Sequence, residues 1–417
     1  MNKKAALGTV FLVVLVDLMG FGIVLPLIPF YASKFNASPV AIGFLYSIYS
    51  FAQLVFSPLW GGFSDKIGRR PIMLLSTFGA VLAYILFGLA QSLGVLFLSR
   101  LVAGIMGGNI STAQAYVADV TTHDERAKGM GLIGAAFGIG FVVGPAISTI
   151  LIHPAFHQFL QRLTGPALAA VLSENKYEIP GFFAAGLSFL SFLLVWFKLP
   201  ETVQASPSGA AAGGDAERIE KVSLFSGRFW RRLSEEGNAV LSLLLLSIFL
   251  LALGQSSLYS GFPLFCKTRL LLSAEKVGMQ FVYMGLLTAL VQGGLIRILV
   301  KKYSEERLFL VGSILMVLGL GLIPFAPSEK ILTLYLSVMA IGVSLNGPTL
   351  TSLISKKADP LKVGAMMGSS QGLAALGRVI GPAWGGFLYG ISFKLPFILT
   401  AAVVSTSILI GIRLQDG

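Results

Sequence analysis

Twelve stretches of this chain are long and apolar enough to cross a lipid bilayer as helices. A helix needs about 20 apolar residues to span the hydrocarbon core, and every backbone polar group there must find its partner within the protein. The chain is 55% hydrophobic and only 12% charged, which excludes an ordinary soluble domain. We therefore predict an all-α integral membrane protein. The predicted spans are 5–31, 41–62, 72–91, 94–118, 129–152, 180–199, 238–264, 275–299, 307–326, 330–355, 364–390 and 394–414.

Positive charge lies mainly on one side of the predicted spans, the side that also carries both chain ends. That side holds 21 of the 31 lysines and arginines, and the opposite side holds 8. Because Lys and Arg accumulate in cytoplasmic loops, we predict a bacterial inner-membrane protein with both termini in the cytoplasm, and we call the two sides inner and outer. The net charge of +12 then serves orientation and contact with membrane lipids, and no nucleic-acid partner is expected.

A polar stretch divides the spans into six and six. Within it, residues 206–217 read SPSGAAAGGDAE, the small-residue composition of a flexible linker. The sequence predicts an amino-terminal six-helix bundle at 1–199, a cytoplasmic linker at 200–237 and a carboxyl-terminal six-helix bundle at 238–417. The halves also resemble each other, so two pseudo-symmetric bundles around a central cavity are expected. A shift of 237 residues superposes, without a gap, Asn109 on Asn346, Gly140 on Gly377, Gly144 on Gly381 and Pro145 on Pro382.

Ionisable side chains inside membrane spans are costly and mark functional sites by default. Asp17 is the one acidic side chain near the middle of a span, ~18 Å from the inner end of the first span at about 1.5 Å per residue. A carboxyl group in apolar surroundings can take up and release a proton, so Asp17 is the candidate proton site. A structural ion pair or a hydrogen bond to nearby backbone is the alternative. Arg378 is similarly central, and Arg100 lies nearer the outer side.

Other polar side chains at comparable depth predict a substrate cavity between the halves. The cavity has few charges, and Phe makes up 31 of the 417 residues. Sugars need denser hydrogen bonding than this, so lipophilic or amphipathic substrates are favoured. The predicted cavity residues are Gln53, Asn109, Gln114, Tyr116, Gln255, Tyr259, Tyr283, Asn346, Gln371 and Arg378.

The turn between the second and third spans reads GGFSDKIGRRP at 61–71. Its glycines allow close approach of backbones or a positive φ, and Asp65 is one acid among three basic residues. The turn resembles G-x-L-A-D-R-x-G-R-R, the loop between helices 2 and 3 of major facilitator superfamily transporters. A turn that only sets topology is the alternative interpretation.

This resemblance implies a conformational latch at the inner face. Asp65 is expected at the amino end of the eleventh helix, near 364–368, when the inner side is closed. Arg69 is expected to pair with Asp119 within the amino-terminal half. The second copy of the motif carries Arg297 in place of Asp65, so the latch is expected on one side only. The implied latch residues are Gly61, Asp65, Gly68, Arg69, Arg70 and Asp119.

Three more segments resemble the twelve-helix drug:proton antiporter branch of that superfamily, which includes the tetracycline exporters. DLMGFGIVLPLIPFYA resembles the first helix of that branch, and RLVAGIMGG at 100–108 resembles its fourth, which implies that Arg100 assists proton transfer. Tetracycline exporters generally carry an Asp just before a Tyr in helix 3. Ala83 precedes Tyr84 here, which argues against tetracycline as the substrate.

The third segment, GFVVGPAIS at 140–148, resembles the antiporter motif of helix 5, and GRVIGPAWGG at 377–386 matches the same pattern in the eleventh span. Small residues at such spacing allow close helix packing. Packing alone and a role in gating are therefore both open for these positions. They are Gly140, Gly144, Pro145, Gly377, Gly381 and Pro382.

No enzyme signature is present, and without a P-loop, transport must draw on a gradient or be passive. His153 and His157 lie four residues apart, but no third ligand is near them, so no metal site is expected. We predict a secondary active transporter, a monomer without a cofactor, that exports a small lipophilic or amphipathic compound in exchange for protons as the coupling ion. A lipid or lysolipid transporter of the same fold is the alternative. A non-transporting receptor is less favoured, because the chain lacks a folded soluble appendage.

Overall fold

A computed structural model describes residues 3–164, 176–202, 239–358 and 363–415, and the predicted linker at 203–237 lies outside these ranges. The described residues form long helices joined by short turns, as the run of apolar stretches predicts. We number the twelve long helices α1 (Ala5–Ser33), α2 (Pro39–Ile67), α3 (Arg69–Gly88), α4 (Leu93–Val120), α5 (Lys128–Ile152), α6 (Ile179–Lys198), α7 (Val240–Thr268), α8 (Ala274–Leu299), α9 (Glu305–Phe325), α10 (Glu329–Lys357), α11 (Val363–Ile391) and α12 (Leu395–Gln415).

Eleven of these helices are long and apolar enough to cross a membrane, and α11 alone falls short by composition. Helix α11 is nevertheless continuous over 29 residues, in register with the predicted span at 364–390. Its glycines, serines and glutamine lower its hydropathy. Four of the glycines face protein: Gly377, Gly381 and Gly385 pack on α7, and Gly386 packs on α2. The fold is thus the predicted all-α membrane architecture.

The two halves repeat the same helix packing. In the amino-terminal half α1 packs on α5 and α6, α3 packs on α4 and α6, and α2 packs on α4. In the carboxyl-terminal half α7 packs on α11 and α12, α9 packs on α10 and α12, and α8 packs on α10. Each pair corresponds to its counterpart six helices further along the chain. This correspondence is the structural form of the repeat at 237 residues.

The halves meet along two seams, α2 against α11 and α5 against α8. Both seams are tight toward the outer face. Gly43 of α2 lies against the Pro382 carbonyl of α11, and Gly278 of α8 lies against Thr149 of α5, with no room for a Cβ at either glycine. The amide of Ala383 also donates a hydrogen bond of 2.9 Å to Ser47 Oγ.

The inner halves of the same helices diverge. Gly131, Gly134 and Gly138 on α5, and Gly293 and Gly294 on α8, all have open space where a Cβ would stand. We infer that the space between the bundles is closed toward the outer face and open toward the inner face, which carries both chain ends.

A short helix, Pro154–Thr164, follows α5 on the outer face, and residues 165–175 lie outside the described ranges. The amide of Ala155 donates to His153 Nδ1 at 3.0 Å, and His153 Nε2 lies 3.2 Å from Glu275 Oε1 at the start of α8. His153 therefore joins the outer ends of the two halves. Within the described residues no three potential metal-ligating side chains cluster together.

Candidate transport site

The polar centre of the amino-terminal half is built around Asp17 in α1. Asn109 of α4 donates from Nδ2 to Asp17 Oδ2 at 2.7 Å and to Ser76 Oγ of α3 at 3.0 Å. Asn109 is 2% exposed, so its two amide protons are committed to these partners. Asp17 is half-buried, and its Oδ1 accepts no hydrogen bond from the described residues. One carboxylate oxygen is therefore fixed, and the other remains available to a proton.

Asn109 reaches Asp17 because α4 is interrupted at its centre. Residues Gly107–Asn109 form a single 3₁₀ turn between two α-helical segments, and such turns leave helix carbonyls without their usual partners. Side chains of α2 supply donors instead: Gln53 Nε2 donates to the Gly107 carbonyl at 3.0 Å, and Trp60 Nε1 donates to the Ile105 carbonyl at 2.6 Å. The local sequence Gly-Gly-Asn thus both breaks the helix and places the amide that holds Asp17.

Arg100 stands apart from Asp17. It is 1% exposed, its Nε has no hydrogen-bond partner, and no carboxylate of the described residues lies within 4 Å of it. Its guanidinium carbon lies 4.6 Å from the centre of the Tyr49 ring and 5.8 Å from that of Phe21. A desolvated cation–π contact is worth about 2 kcal/mol, against about 2.5–3.5 kcal/mol for placing an arginine at the centre of a membrane helix. The aromatic faces offset most of the cost of burying this charge.

Phe21 and Tyr49 belong to an aromatic cluster that crosses the interface between the halves. The ring of Phe21 lies 4.8 Å from Tyr49, 5.8 Å from Phe141 and 6.4 Å from Tyr259. Tyr46 of α2 lies 6.4 Å from Tyr259 of α7. These five rings, which we call the aromatic cluster, come from α1, α2, α5 and α7 and lie just beyond the depth of Asp17 toward the outer face.

Arg378 of α11 approaches the aromatic cluster from the carboxyl-terminal half. It is half-buried, and the glycines on either side of it, Gly377 and Gly381, pack on α7, the helix that carries Tyr259. Within the described residues no carboxylate lies within 4 Å of its guanidinium. Arg100 contacts the aromatic cluster, Tyr259 belongs to it, and Asp17 lies four residues before Phe21 on α1. The roles predicted for these residues stay predictions.

The other predicted cavity residues divide into two groups. Gln114, Gln255 and Gln371 are exposed, and the Tyr283 hydroxyl bonds Ser337 Oγ at 2.8 Å between α8 and α10. Tyr116 instead is fully buried in the amino-terminal half, where its hydroxyl donates to the Pro200 carbonyl at 3.1 Å. Asn346 is 2% exposed and packs against Gly312 of α9 inside the carboxyl-terminal half. The structure places these last two inside the bundles.

Comparison of the halves shows that only the asparagine of the amino-terminal half, Asn109, is bonded to a carboxylate among the described residues. Asn346 and Ser313 stand 237 residues after Asn109 and Ser76, and both are buried with no hydrogen-bond partner for their side-chain polar atoms among the described residues. Sequence analysis missed Ser76 as a site residue. The same repeat spacing that aligns the two asparagines identifies it.

The inner-face turn has the contacts expected of a structured motif. Arg69 Nε lies 3.0 Å from Asp119 Oδ2, the pair that the sequence predicts. Arg69 also pairs with Asp65, whose side chain is 64% exposed. The carboxylate of Glu201, which is not among the predicted latch residues, accepts from the amides of Arg69 at 2.9 Å and Arg70 at 3.1 Å and so caps α3.

Gly68 in this turn has φ of +113°, a conformation that favours glycine. A Cβ at this position would also collide with the Glu201 carboxylate. A Cβ at Gly61 would lie 3.5 Å from Ser111 Oγ, an ordinary contact, whereas Gly368 at the inner part of α11 has open space. The contact between Asp65 and the start of α11 is predicted for the closed inner face, so it stays a prediction.

Both glycine–proline motifs pack against the first helix of their own half, and the motif of α11 also contacts α2 across the seam. Gly140 and Gly144 of α5 lie against Leu18 and Gly22 of α1, beside Asp17. In the other half Ser256 Oγ of α7 donates to the Gly377 carbonyl at 2.9 Å, and Ser260 Oγ donates to the Pro382 carbonyl at 2.8 Å. Close packing accounts for Gly140, Gly144, Pro145, Gly377, Gly381 and Pro382; a role in gating stays a prediction.

The fold, its internal repeat and the inner-face motif coincide with one family. Residues 10–382 and 294–415 match the model of the Major Facilitator Superfamily. The chain belongs to the Major Facilitator Superfamily. It is thus an integral membrane transporter and not an enzyme, as predicted.

Relatives within the superfamily include proteins named for drug resistance. The chain is 31% identical to the class E tetracycline resistance protein of Escherichia coli, over 93% of this chain and 88% of that protein. It is 24% identical to multidrug resistance protein 2 of Bacillus subtilis, over 95% and 92% of the two chains. The crystal structure of the human organic anion transporter MFSD10 (TETRAN) aligns with a TM-score of 0.66 at 24% identity, covering 99% of this chain and all of that one. At that identity the likeness shows the fold alone.

Proposed function

We propose that this chain is a proton-coupled antiporter that exports a small lipophilic or amphipathic compound by alternating access. It would act in a bacterial inner membrane, with both termini in the cytoplasm and with lipid around the bundles. The drug-resistance relatives support export of drug-like compounds. Tetracycline itself is not favoured, because Ala83 stands where the exporters resembled here generally carry an Asp. We propose that the chain acts as a monomer.

The geometry of Asp17 carries this proposal. It is the single carboxylate near the middle of a span, its Oδ2 is held by Asn109 at 2.7 Å, and its Oδ1 is unbonded in the described part of the chain. Asp17 can bind a proton at Oδ1 without giving up its position. A proton site of this kind couples to transport when its occupancy favours one conformation over the other.

The outer-closed arrangement of the bundles supports alternating access. In this conformation the cavity accepts substrate and releases protons at the inner face. Opening the outer face requires separation of the seams at Gly43 and Gly278, while the inner halves of the same helices approach each other. The open space at Gly131, Gly134 and Gly138 leaves room for that approach.

The test is flux in proteoliposomes with an imposed pH gradient, across a panel of dyes, drugs and lipids. A pH gradient that is acidic on the outer side of the membrane is expected to drive uphill export of at least one compound by the wild-type protein. Asp17→Asn should abolish the uphill component and leave downhill exchange. Glu306→Gln, a change to an inner-face acid of the carboxyl-terminal half, serves as the matched control and should export at the wild-type rate. Export that ignores the pH gradient would contradict the proposal.

A lipid or lysolipid transporter remains the second candidate, and one observation favours it. An apolar groove of about 870 Å³ runs along the α2–α11 seam toward the outer face. Its walls include Phe44, Phe51, Ile380 and Phe387, and an acyl chain would match these walls. The lipid arm of the same panel separates the two functions, since a lipid mover should transport lysolipid in preference to dyes and drugs.

A further inference from the structure

Arg378 is a charge that the proposed proton site leaves unused. It stands at the centre of α11, half-buried, with no carboxylate of the described residues within 4 Å. A charge in mid-membrane is retained at a cost, and such residues face cavities and mark substrate pathways. Asp17 forms no ion pair with it and is bonded instead to Asn109 in the other half.

The repeat shows that packing alone does not call for an arginine here. The residue 237 positions earlier is Phe141, which packs edge-on to Phe21 at 5.8 Å. Both residues follow the first glycine of the glycine–proline motif in their own helix. The amino-terminal half fills the position with an aromatic ring. The carboxyl-terminal half fills it with a cation, so the difference between the halves calls for an explanation outside helix packing.

Charge balance in this region is unequal. Near mid-span the chain places two fixed cations, Arg100 and Arg378, against one acid, Asp17. The region carries a net charge of about +1 when Asp17 is ionised and about +2 when it is protonated. Arg100 is buried behind Tyr49 and Phe21, with its Nε unpartnered. Its field reaches the cavity, whereas the half-buried Arg378 is the cation that a ligand can touch.

From this arrangement we propose that the cavity binds amphipathic organic anions, with the acidic group on Arg378 and the apolar body against the aromatic cluster. This inference rests on the proposed export function and names the class of its substrate. A guanidinium binds a carboxylate through two parallel hydrogen bonds. Tyr259 and Phe141 of the cluster are partly exposed and offer ring faces to an aromatic or aliphatic body. A cationic drug, by contrast, meets two like charges and a single acid already bonded to Asn109.

The charge of the ligand has a consequence for energetics. Export of an anion moves negative charge outward, so a membrane potential that is negative inside favours it. Because a proton enters in exchange, an inside-negative potential favours export of an anion more than export of a neutral ligand, and it leaves one-for-one exchange of a monovalent cation unaffected. The size of the potential effect therefore reports the ligand class independently of binding.

The experiment uses three ligands with one shared body: 2-naphthaleneacetate, its neutral amide, and 2-(2-naphthyl)ethylammonium. Binding to the full-length protein is measured in nanodiscs. The wild type should bind the carboxylate ~tenfold more tightly than the amide, as expected for one charge-assisted pair, and should bind the ammonium compound most weakly. Arg378→Gln should lose that tenfold preference and keep its affinity for the amide.

Two further variants keep the result interpretable. Arg378→Phe introduces the residue found at the equivalent position of the amino-terminal half, Phe141. This variant should therefore fold and bind the amide while losing its preference for the carboxylate. Arg413→Gln removes an exposed cation at the inner end of α12 and should bind all three ligands as the wild type does. Equal wild-type affinity for the three ligands, or an unchanged carboxylate preference in both Arg378 variants, would overturn the anion site.

Flux distinguishes this inference from the function on which it rests. Uphill, pH-driven export of the ammonium compound that is insensitive to Arg378→Gln would overturn the anion site and leave proton-coupled export in place. Carboxylate binding that depends on Arg378, without pH-driven flux of any of the three ligands, would support the anion site and contradict proton-coupled export. An imposed inside-negative potential should accelerate carboxylate export.

Discussion

Asn109 Nδ2 donates a hydrogen bond of 2.7 Å to Asp17 Oδ2 across the contact between α4 and α1. The bond exists because the 3₁₀ turn at Gly107–Asn109 interrupts α4 at this depth. It fixes the carboxylate that we propose as the proton site. The first prediction therefore concerns the donor.

Asn109→Ala should shift the pH profile of transport. The charged carboxylate loses its donor, so the pH of half-maximal transport should rise by about one unit, the equivalent of ~1.4 kcal/mol for one hydrogen bond to a charged group. Asn346→Ala is the matched control, because it removes the repeat-related asparagine that faces no acid. An identical profile in wild type and Asn109→Ala would show that this bond does not tune the proton site.

The second prediction concerns Arg100. Since no carboxylate lies within 4 Å of Arg100, it acts on Asp17 through its field, and Arg100→Ala should raise the pH of half-maximal transport by less than Asn109→Ala does. Arg100→Lys should restore the profile incompletely, because an ammonium group lacks the planar face that stacks on Tyr49. The pH profile of flux checks both variants. Profiles that match the wild type in both would leave Arg100 a packing role only.

The third prediction concerns the inner-face latch. Asp65→Asn should favour the inner-open state and slow turnover about two- to fivefold, the range expected for losing one exposed charged contact, with little loss of substrate affinity. Labelling of Gly134→Cys from the inner side, after replacement of the buried Cys266, measures the open state. Lys66→Gln, a neutralisation at the neighbouring exposed position, is the control. Unchanged labelling and turnover in Asp65→Asn would reduce the turn to a topology signal.

The fourth prediction concerns the opposite face. His153 Nε2 lies 3.2 Å from Glu275 Oε1 and ties the outer ends of the halves together. Because its Nδ1 accepts from Ala155, the neutral ring carries its proton on Nε2 and can donate to Glu275. Glu275→Gln or His153→Ala should lower inner-side labelling at Gly134→Cys.

Combining changes on the two faces sharpens that test. Asp65→Asn and His153→Ala bias the equilibrium in opposite directions, so their combination should return labelling toward the wild type. Labelling in the double variant that equals Asp65→Asn alone would mean that the outer contact carries no conformational bias.

Sequence alone predicts the depth of a residue in the membrane better than the direction in which its side chain points. Counting residues along a helix gives depth, which is the basis on which Asp17, Arg378 and Tyr259 were selected, and their roles stay predictions. Tyr116 and Asn346 lie at suitable depths but point into their bundles, since helices apolar on all sides give little periodicity from which to infer a face.

Local breaks in the helices also escaped prediction. The 3₁₀ turn in α4 and the π-helical turn at Val291–Leu295 in α8 depend on packing against neighbours that a single sequence does not display. Short turns of these kinds gather at functional sites. The break in α4 brings Asn109 to both Asp17 and Ser76. Because the break was not predicted, Asp17 and Asn109 were selected from sequence and Ser76 was not.

The central claim is that Asp17 couples proton movement to export. The most direct measurement is uphill substrate accumulation in proteoliposomes under an imposed pH gradient, with counterflow measured on the same preparations. We predict that Asp17→Asn loses uphill accumulation to the level of empty vesicles while counterflow continues at a rate similar to the wild type. Uphill accumulation by Asp17→Asn at the wild-type level would contradict the claim.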